Sequence, residues 1–203
     1  MHPDAPTAAF NRVILKTRRI HTPKIFGRIH RTQFPAPLGY GHNPSRFSDP
    51  QIIGPAKRFG VLYLGRSLEV CFLEAVLRDL RNGAVGDYPL EMQEFHSRAY
   101  SRIVIGRPLK LVDLTGDHKV IMGIRTDVTN ASDQTLGRLW AEAIYLHPAM
   151  VDGILYQSRL SRQTNLAIFD RAVSKLTAID SQPLLKAPEL PRIIDKYKVA
   201  IIA

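Results

Sequence analysis

Apolar residues follow two different periods along this chain, and the change from one to the other marks its elements. Val61-Leu62-Tyr63-Leu64, enclosed by Gly60 and Gly65, is a short apolar run with turn residues at both ends, the pattern of a buried strand. Ser67 then offers an N-cap. Leu68, Cys71, Phe72, Ala75, Val76 and Leu80 recur at helical spacing, which predicts a helix over residues 68–81. Residues 101–105 and 109–114 read as two more strands, separated by Gly106-Arg107-Pro108, which breaks any continuous ladder. A second helix is expected over residues 132–146, with Leu136, Leu139, Trp140, Ala143 and Ile144 on one face and His147-Pro148 at its end. Strands are expected at Ile154-Leu155-Tyr156 after the Asp152-Gly153 turn and at residues 166–169. A last one is expected at 199–203, after a proline-punctuated linker from Pro183 to Pro191. Strands and helices that do not alternate strictly predict an α+β (irregular α/β) single domain.

Composition narrows the class. A chain of 203 residues with 45% hydrophobic and 23% charged residues has the size of one domain and can bury a core. Its apolar runs fall far short of the roughly 20 residues that span a bilayer. The N-terminus lacks a basic segment followed by an apolar run, so a cytoplasmic protein is expected. Cys71 is the single cysteine, which excludes a disulfide within the chain and a cysteine-rich zinc site. Net charge is +10, unevenly spread: residues 1–48 hold Arg12, Lys16, Arg18, Arg19, Lys24, Arg28, Arg31 and Arg46 against Asp4 alone. Such a field attracts an anion, whether nucleic acid, a phosphate-bearing small molecule or an acidic protein, unless it is only a solvated basic face. Eight of the fourteen prolines precede residue 56, and residues 34–55 read as a long loop.

Glu74 is the most pointed candidate, because its neighbours Cys71, Phe72, Leu73, Ala75, Val76 and Leu77 are apolar. A carboxylate there risks a desolvation cost that is tolerated when the group is paired or when it serves a site. The alternative is an ordinary i,i+4 pair with Arg78 on an exposed stripe. Arg28, Arg31 and Arg46 flank the long loop, and guanidinium groups suit a diphosphate, although surface arginines need no such role. Tyr63, in a buried-strand pattern, is either core or an aromatic face for a planar ring. Ser158 follows a strand, a common site position, or simply closes a turn. No nucleophile elbow, phosphate loop or dinucleotide turn occurs, and the histidines lack metal-ligand spacing, so no metal is expected.

In order along the chain, these pieces resemble the RES domain family. The matching stretches are Arg28-Ile29-His30-Arg31, Arg46-Phe47, residues 59–64 and residues 68–75, then residues 107–116 and 151–159, and the likeness spans residues 24–180. Residues 1–23 are then a basic N-terminal segment, and residues 181–203 a C-terminal segment packing on the domain. The resemblance implies an ADP-ribosyltransferase-like fold and the toxin of a bacterial toxin–antitoxin pair, neutralised by an Xre-type antitoxin. It implies consumption of NAD by phosphorolysis or hydrolysis of the nicotinamide–ribose bond, with inorganic phosphate as a possible co-substrate, or protein ADP-ribosylation of some target. By the same resemblance Glu74 is the catalytic carboxylate and Arg28 and Arg46 the arginines of the NAD pocket, with Arg31 beside them. Tyr63 is the ring that stacks on nicotinamide, and Ser158 a late polar contact. The chain departs from the family pattern in having Pro44-Ser45 before Arg46, where a double glycine is usual, and Ser48-Asp49 after Phe47. A reading of another class is a basic module that binds nucleic acid; the resemblance implies no direct nucleic-acid contact and no membrane.

Overall fold

In the computed structural model, residues 5–51, 54, 58–78, 80 and 83–203 are described. The expected helix end at Arg81 and part of the long loop lie outside them. Eight strands form one sheet in the order β1-β6-β7-β8-β3-β2-β5-β9: β1 (Thr17–Ile20), β2 (Ile25–Arg31), β3 (Val61–Gly65), β5 (Arg98–Ile105), β6 (Leu109–Asp113), β7 (Gly153–Gln157), β8 (Thr164–Phe169) and β9 (Leu176–Pro183). A separate ribbon pairs β10 (Val199–Ile202) with β4 (Tyr88–Glu91) in parallel. Within the main sheet only β6 and β7 run parallel. A parallel pair needs a long crossover, and α3 (His118–Ile121), α4 (Asp127–Asn130) and α5 (Thr135–Leu146) supply it.

Side-chain alternation along the strands divides the core in two. Leu62 and Leu64 of β3, Leu155 of β7, and Leu166 and Ile168 of β8 meet Ile103 and Ile105 of β5 and Leu109 and Leu111 of β6 in one buried cluster. The cluster runs along one face of the sheet through every strand from β1 to β9 in the sheet order. On the other face Val61, Val112, Ile154, Tyr156, Ala167 and Phe169 receive Trp140, Ala141 and Ile144 from α5. A third cluster joins Ile29 and Tyr100 to α1 (Leu68–Phe72), to Phe95 of α2 (Met92–His96), and to Leu190 and Ile193 of α6 (Leu190–Lys196).

Three local features set up the site. First, β2 and β3 share a single registered pair, Gly27 with Gly65, and the long loop returns alongside β3, where Gly41 bridges Val61. Second, a Cβ on Gly65 would lie 2.7 Å from the Cys71 sulfur, so glycine lets α1 close onto the end of β3. Third, α1 begins as expected, with the Ser67 hydroxyl accepting from the Val70 N–H, but after Phe72 it widens into a π-helical turn over Leu73–Leu77. That turn ends at Arg78 with φ of 46°, so the regular helix is shorter than the apolar spacing predicts. The basic stretch at residues 17–20 is edge strand β1 of the sheet, and the proline-punctuated linker runs into α6, which carries Pro191 in its first turn.

Candidate functional site

Glu74 stands on the π turn, half-buried. Its Oε1 accepts a hydrogen bond of 3.1 Å from the Asn165 amide on β8. The exposed i,i+4 pairing with Arg78 is not what holds it: Arg78 ends the turn in the left-handed region, and its charge bears on Arg98. Asn165 lies opposite Gly65 on one side and Tyr156 on the other, so the strand register places it beneath the start of the helix that carries Glu74. Tyr156 and Asn165 are cross-strand partners on one face of the sheet. Burial pushes the Tyr156 phenol well above its ordinary value, and the Glu74 carboxylate nearby adds to that shift.

Tyr63, on the same face of β3, is anchored through its hydroxyl. It accepts from the Phe47 N–H at 2.8 Å and shares a hydrogen bond of 3.0 Å with the Ser45 hydroxyl. Burial raises its phenol too, against the lowering effect of these two partners. The same short segment delivers Arg46, whose guanidinium donates to the Ala131 carbonyl at 2.8 Å. Phe47 packs edge-on against Tyr156, with ring centroids 4.9 Å apart. Burial lowers the Arg46 guanidinium from its ordinary value, and the charges that bear on it are those of Tyr156, Arg159, Glu74 and Tyr63. Glu74, Tyr63, Arg46, Tyr156 and Asn165 are therefore one electrostatic unit, drawn from the π turn, β3, the long loop, β7 and β8. Sequence reasoning gave no part to Tyr156. Asn165 stands just before the strand expected at residues 166–169, and only the pairing of β8 with its neighbours shows what it faces.

The remaining expected residues are placed differently. Arg28 lies next to the Gly27–Gly65 pair, on the strand face shared with Phe26 and His30, and donates to the Pro37 carbonyl at 2.7 Å. Burial brings its guanidinium down to about 10, with Cys71 acting the other way. Arg31 is turned to Ser97, at 2.6 Å, and to Glu94, at 3.2 Å, outside the Glu74 unit. Ser158 is 1% exposed, and its hydroxyl accepts from the Leu160 and Ser161 N–H groups, closing the turn between β7 and β8 that also carries Arg159. Burial pushes the Cys71 thiol up to about 12, so it stays protonated and unreactive.

A half-buried carboxylate oriented by a neutral amide, near a guanidinium and two phenols, can stabilise a positive charge that develops on a bound molecule. Two surface cavities, of about 610 and 340 Å³, are lined by other residues, the first by Leu185, Ile194 and Val199 and the second by Phe59, Tyr145 and Asp170. Among the described residues no group of three or more His, Cys, Asp or Glu side chains is arranged to hold a metal ion, and no helix is long and apolar enough to cross a membrane.

Three comparisons place these features. A family model described as the RES domain matches residues 17–192. Over 127 residues the chain is 36% identical to a protein of Sinorhizobium fredii named probable toxin y4kH, which covers 62% of this chain and 100% of that one. A chain in the crystal structure of the M. tuberculosis MbcT–MbcA toxin–antitoxin complex matches with a TM-score of 0.61 at 16% identity, over 89% of this chain and 91% of that one, a likeness of fold. The mixed α/β single-domain architecture expected from the sequence is thus the observed one, and the chain belongs to the RES domain family.

Proposed function

We propose that the protein is the toxin of a toxin–antitoxin pair and acts as an enzyme that breaks the nicotinamide–ribose bond of NAD at the Glu74 unit. The observation that carries this reading is the Glu74 carboxylate itself, half-buried on a π turn and held by a neutral amide within the field of Arg46. Cleavage moves the electron pair of the C–N bond onto nicotinamide, which leaves as a neutral molecule, and positive charge develops on the ribose. Such an oxocarbenium-like state is lowered by a nearby carboxylate. Water or phosphate then completes the ribosyl carbon, giving ADP-ribose or ADP-ribose 1″-phosphate; a protein side chain in that place gives ADP-ribosylation. Arg46 and Arg28 serve the diphosphate, and the Tyr63 ring serves the nicotinamide face. The names of the relatives, a probable toxin and a toxin–antitoxin complex, support an antitoxin partner, for which an Xre-type protein encoded alongside is the natural choice.

The nucleic-acid reading finds less support. Within the basic first quarter Arg18 pairs with buried Asp113 at 2.8 Å, Arg28 and Arg46 are drawn to backbone carbonyls, and Arg31 pairs with Glu94. The experiment is incubation of purified protein with NAD, with and without inorganic phosphate, and identification of the nucleotide products by mass spectrometry. ADP-ribose 1″-phosphate that forms only with phosphate identifies phosphorolysis, ADP-ribose without phosphate identifies hydrolysis, and label on protein identifies transfer. NAD left intact in every arm contradicts the proposal.

A further inference from the structure

Glu74 stands on irregular backbone. The π turn over Leu73–Leu77 is followed at once by Arg78 at φ of 46°, and such a turn does not by itself fix the direction of a carboxylate. Asn165 stands on the opposite kind of support. Strand β8 is paired on both sides, with β7 and with β3, and Asn165 is 3% exposed. Its amide reaches Glu74 Oε1 at 3.1 Å, and Tyr156 stands directly opposite it on β7. Tyr156 is 5% exposed and backed edge-on by Phe47. The chain of contacts thus runs from the packed sheet through one amide to one oxygen of the carboxylate.

We propose that Asn165 is a positioning residue for Glu74, orienting the carboxylate without neutralising it. An amide donor fixes one oxygen and leaves the full negative charge to act on a developing ribosyl cation. A guanidinium or ammonium at the same place would cancel much of that field. The guanidinium of the unit, Arg46, is instead tied to the Ala131 carbonyl. The kinetic part of this inference rests on the NAD-cleaving reading of the site, whereas the contact stands apart from it.

The test uses the full chain with two substitutions, Asn165→Ala and Asn165→Asp, each first checked for a native near-UV circular dichroism spectrum. Asn165→Ala is expected to lower kcat about 10–100-fold, with KM changed less than about 2-fold, because an orienting contact made for the transition state is lost. Asn165→Asp puts two carboxyl groups side by side, and such a pair retains a shared proton to higher pH than either would alone. Its activity is therefore expected to be low at pH 8 and to recover toward pH 5 relative to Asn165→Ala, as the protonated new carboxyl donates to Glu74. Unchanged kcat in Asn165→Ala, or an Asn165→Asp profile that tracks that of Asn165→Ala, overturns the proposal. A second readout needs no turnover. The ¹³C carboxyl resonance of Glu74, assigned by its loss in Glu74→Gln, is expected to move in Asn165→Ala. If it moves while wild-type protein leaves NAD intact, the positioning contact stands and the NAD reading falls. If it does not move, the positioning role falls.

Discussion

Tyr63 shows how one side chain can serve two levels of the structure. Its ring belongs to the proposed pocket, and its hydroxyl holds the Ser45–Phe47 segment that delivers Arg46. Tyr63→Phe keeps the ring and leaves the Phe47 N–H without this partner, a loss of about 1–3 kcal/mol. The urea midpoint is expected to fall accordingly, and KM for NAD to rise more than kcat falls, because a loosened segment presents Arg46 less well. Cys71 makes a prediction with a defined sign. Its folded-state value is raised from 9.0 to about 12, so the stability this thiol provides is complete below pH 9 and is lost as the unfolded state ionises above it. Between pH 8 and pH 10 the wild-type protein is expected to lose about 1.4 kcal/mol that Cys71→Ala does not lose. Equal losses in the two proteins would remove the buried thiol as the source. Legibility at this scale followed chemistry that is visible locally. Glu74 could be singled out because a carboxylate among apolar neighbours is conspicuous in the sequence itself. Asn165 and Tyr156 could not, since an asparagine at the edge of an expected strand and a tyrosine within one acquire meaning only from the strand opposite them.

At the scale of elements, the site depends on close approaches that glycine permits. With a Cβ on Gly65, the Cys71 sulfur 2.7 Å away must give way, and α1 with it, which lifts Glu74 from Asn165. Gly65→Ala is expected to cost about 1–3 kcal/mol in chemical denaturation and to depress turnover beyond what the loss of folded protein explains. Wild-type activity in a protein so destabilised would show that the fit of α1 on β3 does not set the carboxylate. Gly137 plays the same part in α5, where a Cβ would lie 2.5 Å from the Arg46 carbonyl oxygen. The apolar spacing located β3, β5 through β8, β10, the start of α1 and nearly all of α5. It overran α1, because the apolar residues after Phe72 continue a pattern that a π turn also satisfies. It missed β1 and β2, because four arginines and a histidine interrupt them, although Arg18 is paired with Asp113 and Arg28 donates to the Pro37 carbonyl. Strand β9 escaped because polar Thr177, Asp180, Ser181 and Gln182 interrupt its apolar residues along an edge of the sheet.

For the whole molecule, charge and topology act together. One core cluster runs along a face of the whole sheet, and the long loop lies where β2 and β3 part after a single glycine pair. On the proposed reading, the excess positive charge has a use in drawing a dianionic diphosphate toward that opening. If the charge serves a small anion, a labelled DNA or RNA oligonucleotide is expected to show no saturable binding at 50 mM salt. Saturable binding that weakens steeply at 200 mM would instead favour a nucleic-acid module. The fold class was legible because the mixture of elements is coded by local periodicity. The order of strands was not, since pairings such as β1 with β6 and β2 with β5 join segments far apart in the chain. The most direct test of the account is release of free nicotinamide from NAD by the wild-type protein and by Glu74→Gln, measured side by side at equal folded concentration. The account predicts release by the wild type and a rate at least about 10²-fold lower in Glu74→Gln; equal rates in the two proteins, or no release by the wild type, would contradict it.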